Sequence, residues 1–378
     1  MSARRTHVTI RDGRWLVNGR PTHEGCKYRG LEIEGLLLNS RMVQATFDDE
    51  NPVTRPLWAY PDTGEWDPDR NTDECVQAMP EWCAHGLTGF SVNLQGGSPL
   101  GYYREGAFRA RLAELGIDAP DAEVWKGVPG PASQPWHNSA FDRDGSFKGA
   151  YLGRLGRVLD RADELGMIVI LGLFYQGQDE RLEDEAAVKR AVDNACRWVA
   201  DSGYANVVVE VNNECSVPNY EHDILKPPRV AELIERARSF EGPAGGRLLA
   251  GTSYGGGGVP GDDVVRASDF VLMHGNGVTE PERLAGMVDE VRSRPAYRTM
   301  PVVFNEDDHY CFESPVNNFS AALSRYAGWG FFDPGEGAGG SAAFGNYADG
   351  YQNPPVNWAI NTVRKRGFFE LVSEMTGG

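Results

Sequence analysis

A short apolar run followed by a helix-bearing segment recurs eight times along this chain. That recurrence limits the fold more than any other feature. The runs are Glu34–Leu38, Gly89–Leu94, Met167–Leu173, the run from Asn206 to Asn213, Arg247–Gly251, Phe270–Met273, the run from Pro301 to Asn305, and Gly328–Phe332. Helical stretches separate or follow them: Thr72–His85, Ser146–Gly166, Glu185–Ser202, Pro228–Phe240, Glu280–Arg294, Asn317–Ala327 and Val356–Thr376. Valine-rich runs of this length suit strands buried on both faces. Strands alternating with helices imply a parallel sheet. Eight such units favour an α/β fold closed into a (β/α)8 TIM barrel, and 378 residues suit one such domain, residues 1–378, with insertions. An open doubly wound sheet would want a glycine-rich phosphate turn after the first strand, and Leu36-Leu37-Leu38-Asn39-Ser40-Arg41 offers none.

Two additions decorate the barrel. Asp12-Gly13 and Asn18-Gly19 are turn dipeptides within Val8–Pro21, which predicts an N-terminal hairpin capping the barrel's bottom. A long insertion after strand two, from Gly96 to about Gly145, carries Tyr102, Tyr103, Trp125, Trp136 and His137 among many glycines and prolines. The Trp136-His137-Asn138 stretch is its expected contribution to a binding site.

The fourth and seventh runs each end in a glutamate preceded by asparagine: Asn213-Glu214 and Asn305-Glu306. A carboxylate just past a strand sits at the C-terminal rim, where barrels place their chemistry. Two buried carboxylates are costly unless used. A pair of them suits glycoside cleavage, with one as acid/base and one as nucleophile.

An Asn-Glu after strand four and a Glu after strand seven resemble the large clan of retaining (β/α)8 glycosidases called the 4/7 superfamily, which includes cellulases and mannanases. The resemblance covers almost the whole chain as an order of elements. It implies that Glu214 is the acid/base, Glu306 the nucleophile, and Asn213 a partner of the sugar 2-hydroxyl. The acid must keep its proton near neutral pH while the nucleophile stays ionised, so the two sites need different environments. The chain departs from the clan in three places, one of them the acidic run Asp307-Asp308-His309-Tyr310 after strand seven. Where many members have a tyrosine that bonds the nucleophile, strand six ends in His274-Gly275-Asn276, which leaves His274 or Tyr254 for that role. Where many have an arginine near the end of strand two, this chain has Asn93-Leu94-Gln95, so Arg41 after strand one is expected to pair with Glu306. A divergent family is implied.

Further substrate-binding residues are expected at strand ends: Asn93, Tyr175 after strand three, and Trp329 in strand eight as a platform under the sugar. His23-Glu24 and Asp307-Asp308-His309 hold metal-ligand types but match no zinc pattern, so neither a metal nor a cofactor is expected. A net charge of −17 argues against nucleic acid or an anionic membrane as partner. A carbohydrate is the expected small-molecule substrate, and homo-oligomerisation is left open. Arg4 and Arg5 lead into no apolar leader segment, and six dispersed cysteines read as free thiols, so a cytoplasmic protein is expected. The expected action is exo cleavage of a terminal pyranoside or furanoside, because the strand-two insertion would close one end of the cleft. A metal-dependent barrel hydrolase and a non-catalytic carbohydrate-binding barrel are the rival readings.

Overall fold

The computed structural model describes residues 4–100, 105–118, 134–243, 245–335, 347 and 349–377. The expectations attached to Tyr102, Tyr103 and Trp125 lie outside these residues. Three short strands open the chain: β1 (Val8–Arg11), β2 (Arg14–Val17) and β3 (Arg20–Pro21), an antiparallel sheet. Both predicted turns form, with Asp12 and Asn18 each at φ 53° and a glycine following each. A second small antiparallel pair follows, β4 (Lys27–Tyr28) and β5 (Leu31–Glu32).

Eight parallel strands then build the barrel. They are β6 (Leu38–Arg41), β7 (Gly89–Asn93), β8 (Ile168–Phe174), β9 (Val207–Asn212), β10 (Ala250–Gly251), β11 (Val271–His274), β12 (Val302–Asp307) and β13 (Gly328–Phe331). Ladder pairing runs from β10 through β9, β8, β7, β6, β13 and β12 to β11. A Ser253–Leu272 bridge joins the two ends, which closes the barrel.

The predicted order of elements holds, and three boundaries move. Strand one is Leu38–Arg41, not Glu34–Leu38. Its polar residues are strand residues because the barrel supplies partners: Ser40 Oγ donates to Phe331 O at 3.1 Å and Asn39 Nδ2 to Phe304 O at 3.4 Å. Strand five shrinks to two residues. The last helix starts at Val363, not Val356, with the Thr362 side chain capping Lys365 N–H at 3.2 Å. A further helix, Asp262–Ala267, follows strand five.

The core has an outer and an inner part. The outer part packs strand side chains such as Val209, Met273 and Phe304 against helix residues such as Leu159, Val192 and Val288. The inner part fills the barrel's lower end with Leu37, Ile168, Ile170, Val208, Phe270, Leu272 and Val303. Trp15 from the hairpin joins that cluster, its ring 5.2 Å from that of Phe270. The hairpin therefore caps the bottom, and the strand C-termini point to the opposite end. There a third, aromatic cluster of Phe47, Trp58, Tyr60, Trp66, Phe108 and Trp136 packs the loops beyond strands one and two.

Candidate active site

Glu214 follows β9 and takes φ +53°, a left-handed conformation that costs a non-glycine residue about 1–2 kcal/mol. Neighbours hold it there. Its N–H donates to Ser253 Oγ at 2.9 Å, and its carbonyl accepts from Val217 N–H at 3.0 Å. The preceding Asn213 is anchored by its own N–H to Phe174 O at 3.0 Å. The strained turn lifts the Glu214 carboxylate off the strand line, into the mouth of the barrel.

Glu306 is within β12, where the register against β11 and β13 is irregular. Its carboxylate is nearly buried and bound from both sides. Arg41 Nε donates to Oε2 at 2.5 Å, and Asn276 Nδ2 donates to Oε1 at 2.6 Å. Arg41 is itself held by Gln352 Oε1 and by the face of Phe332, 4.8 Å from its guanidinium carbon. A charge-assisted bond of this kind is about twice as strong as a neutral one and fixes the carboxylate's direction.

His274, at the end of β11 and fully buried, joins the two glutamates. Its Nδ1 lies 3.0 Å from Glu214 Oε1 and 3.7 Å from Glu306 Oε2. Two oxygens at these distances from one nitrogen can be no farther apart than the two lengths laid end to end. Burial alone would make the imidazole less basic. The charges of Glu306, Glu214 and Glu210 outweigh that and push its pKa up to about 9. Burial alone would likewise raise Glu214. The bond and charge of His274, with Arg41, outweigh it and hold Glu214 below the ordinary carboxylate value. Both shifts favour a proton on His274 over one on Glu214.

The two glutamates open on a cavity of about 730 Å³ at the barrel mouth. Arg41, Tyr175, Gln176, Asn276, Phe332 and Gln352 line it with them, and Gln176 Nε2 reaches Glu214 Oε2 at 3.4 Å. Ser98 and Gln134 bring the strand-two insertion to its wall. A neighbouring cavity of about 930 Å³ shares Asp308 and His309 with it and is walled by Tyr310, Phe312, Val316 and Val363. Glu214 and Glu306 belong to the smaller one.

Of the residues singled out in the sequence, the structure brings Glu214, Glu306, Arg41, Tyr175 and His274 together. Asn213 is buried beside Glu214 and is not part of the cavity wall. Four others go elsewhere. Asn93 points into the barrel beneath the cavity, against the position a Cβ on Gly172 would take. The Tyr254 hydroxyl lies beside Gly261. Trp136 is fully buried among Trp58 and Phe108, its Nε1 donating to Gln134 Oε1 at 2.7 Å. Trp329 stacks on Phe319 at 4.7 Å between strand and helix and donates to Asp307 Oδ2 at 2.8 Å. A tryptophan with a satisfied N–H in a packed layer is core, and Phe332, three residues on, takes the cavity wall instead.

Asn276, Phe332, Gln352 and Gln176 were not assigned roles from the sequence. For Asn276 a signal existed, since it ends the His274-Gly275-Asn276 turn after strand six. Gly275 is required there: a Cβ on it would lie 2.3 Å from the Asp307 carboxyl. The ligand-type atoms of Asp307, Asp308 and His309 do gather within 4.8 Å of one another. They are already engaged. Asp307 accepts from Trp329, from Asn318 Nδ2 at 3.0 Å and from His309 N–H at 2.9 Å, and His309 Nδ1 meets Asp308 Oδ1 at 2.5 Å. Burial pushes the Asp307 pKa up to about 7 against those bonds.

No protein-family model matches the sequence. No curated protein matches it. Solved structures do share the fold. A glycoside hydrolase family 5 mannosidase from Rhizomucor miehei superposes with a TM-score of 0.52 at 12% identity, over 98% of this chain and 97% of that one. A candidate glycoside hydrolase from Bacteroides vulgatus gives 0.52 at 11% identity, over 98% of this chain; the chain spans 60% of that protein's length. Another glycoside hydrolase gives 0.51 at 10% identity, over 98% and 73% of the two chains. At such identities the likeness is one of fold, and it is that of the (β/α)8 barrel.

Proposed function

We propose that the chain is a retaining glycoside hydrolase that cleaves a terminal sugar from a glycoside or short oligosaccharide, with residues 1–378 acting as one catalytic domain. The observation that carries this reading is the pair Glu214 and Glu306, facing one cavity and sharing His274. Their oxygens' common approach to one nitrogen bounds the gap between them. The bound, set by one oxygen of each carboxylate, accommodates the about 5–5.5 Å of retaining enzymes.

The roles follow from the surroundings. Glu306, clamped by Arg41 on one oxygen and Asn276 on the other, is fixed in direction and attacks the anomeric carbon through a lone pair that those bonds leave. Glu214 is more open, with one side on His274 and the other on the cavity, which suits proton delivery to a leaving oxygen and proton removal from water. Phe332 is the flat apolar surface for the sugar ring, and Asn213 remains the candidate partner of the 2-hydroxyl. Ser98 and Gln134 at the wall support closure of one end of the cleft by the strand-two insertion, which favours exo action. The glycoside hydrolases that share the fold agree with this class of substrate.

A fluorinated glycoside with an activated leaving group tests the reading. Such a compound should trap a covalent adduct on Glu306, read by peptide mass spectrometry. Labelling at another residue, or a product of inverted anomeric configuration, would sink the double-displacement assignment.

A further inference from the structure

The guanidinium of Arg41 gives the nucleophile one hydrogen bond, from Nε to Glu306 Oε2. A single bond leaves a planar group able to swing about it, so other contacts must set its angle. Phe332 covers one face. Gly97, at the start of the strand-two insertion, lies against the edge, where a Cβ would stand 2.8 Å from Arg41 Nη2. Gln352 takes Nη1, which donates to its Oε1. The other end of the same amide is engaged too, with Nε2 donating to Ser98 O. Arg41 has only donors and Ser98 O only accepts, so the orientation of the amide is fixed. Gln352 is buried, and it comes from the segment beyond strand eight. Its neighbour Tyr351 pins the backbone there. The Tyr351 N–H donates to Asp333 O at 2.9 Å, and its ring stacks on that of Trp358 at 6.1 Å.

We propose that Gln352 is a positioning residue for the nucleophile: through Arg41 it sets the direction of the Glu306 carboxylate, and through Ser98 it ties that setting to the strand-two insertion. The proposal rests on the glycosidase reading. An amide suits the place because it accepts from a cation at one end and donates to a carbonyl at the other. A carboxylate would do the first and fail the second, with an oxygen left facing Ser98 O. It would also draw on the Arg41 charge. Glu306 on β12 is the ion-pair partner of that charge at 2.5 Å, and Glu306 also faces His274 on β11. Tyr175 beyond β8, Glu214 beyond β9 and Glu210 on β9 feel the same charge. A neutral acceptor holds the guanidinium and leaves its charge to the nucleophile.

Double displacement makes this hold matter. Glu306 loses its negative charge when it bonds to the anomeric carbon, and regains it when water releases the sugar. The Arg41 bond is weak while Glu306 is an ester and strong when it is a carboxylate. Without Gln352 the guanidinium is free to swing away during the ester's life. With Gln352 it keeps its angle, so the donor is already aimed when charge returns to the leaving carboxylate. Gln352 also lines the cavity, and a direct bond to the sugar is the rival role. The two roles differ in whether Gln352 needs Arg41.

A double-mutant cycle with Arg41 is the test. Gln352→Ala alone should lower kcat/KM on an activated aryl glycoside roughly 10- to 100-fold. Added to Arg41→Ala, it should cost less than about threefold more, because its route to the nucleophile is gone. Gln352→Glu should move the acid limb of kcat/KM up by about one pH unit, since the new carboxylate draws the Arg41 charge away from Glu306. It keeps the side-chain length, so the pH profile decides where Gln352→Ala does not fold. In NMR the Arg41 Nε–H signal, assigned by its loss in Arg41→Lys, should exchange with water faster in Gln352→Ala than in wild type. Equal losses in both Arg41 backgrounds would overturn the proposal. So would an unmoved acid limb in Gln352→Glu, or unchanged Nε–H exchange in Gln352→Ala. Absence of wild-type turnover on all glycosides would instead defeat the glycosidase reading, and the exchange rates would still decide whether Gln352 fixes Arg41.

Discussion

The two ends of one barrel are built from the same eight strands and differ in almost everything else. At the bottom, strand residues such as Ile168, Val208, Leu272 and Val303 close on Trp15 of the hairpin, with no charge among them. A few residues further along the same strands, Asn39, Asn93, Glu210, Asn305 and His274 fill the interior, several with unsatisfied polar atoms. The difference teaches where the free energy goes. Apolar closure at the bottom stabilises the fold, and the top uses that stability to keep charges and strained backbone in place.

The contrast can be broken from either side. The largest effect should come from Glu306→Gln, which removes the nucleophile yet keeps its shape. Turnover of a natural glycoside should fall on the order of 10⁴-fold or more, with circular dichroism unchanged. Retained turnover would show that the top's chemistry lies elsewhere. Trp15→Ala should do the reverse, costing about 3–5 kcal/mol of unfolding free energy by removing the plug. Its kcat below the melting transition should match wild type; a large kcat loss would mean the two ends are coupled.

Asn276→Ala removes one donor to the nucleophile. Bonds to charged groups contribute about 1.5–3 kcal/mol, so kcat/KM should drop roughly 10- to 100-fold with Tm little altered. The smallest effect sharpens the comparison through pH. The His274 pKa is raised, so its stabilising share is whole below 6.5 and fades as pH rises through about 9. Urea unfolding should therefore show stability declining across that window, and His274→Gln should flatten the decline. A wild-type stability flat through pH 9 would show that the top's charges contribute nothing to folding.

The bottom was the more legible end. Asp12-Gly13 and Asn18-Gly19 announce the hairpin locally, and valine-rich runs announce strands whose lower halves are apolar. At the top, Glu214 and Glu306 stand out because each ends such a run. Their setting does not. Gln352 reaches Arg41 from the far end of the chain, and Asn276 donates where a tyrosine was sought. Trp329 and Trp136 look like sugar platforms in a sequence because tryptophan serves cores and binding sites alike; only their partners, Asp307 and Gln134, decide. Strand one was read four residues early because Asn39-Ser40-Arg41 are polar, and the acceptors that keep them in the sheet come from strands seven and eight.

The hairpin plug also imposes an order on synthesis. Trp15 leaves the ribosome early, and the residues it packs on, Phe270, Leu272 and Val303, are made near the end. Through most of translation an indole and its apolar neighbours have no seat. They find one only when strands six and seven arrive with Leu272 and Val303. Such late pairing of distant segments slows folding and leaves greasy surface open to other chains meanwhile. Moving the hairpin to the other terminus by circular permutation would present plug and seat together, so yield in a chaperone-depleted host should rise in the permuted chain.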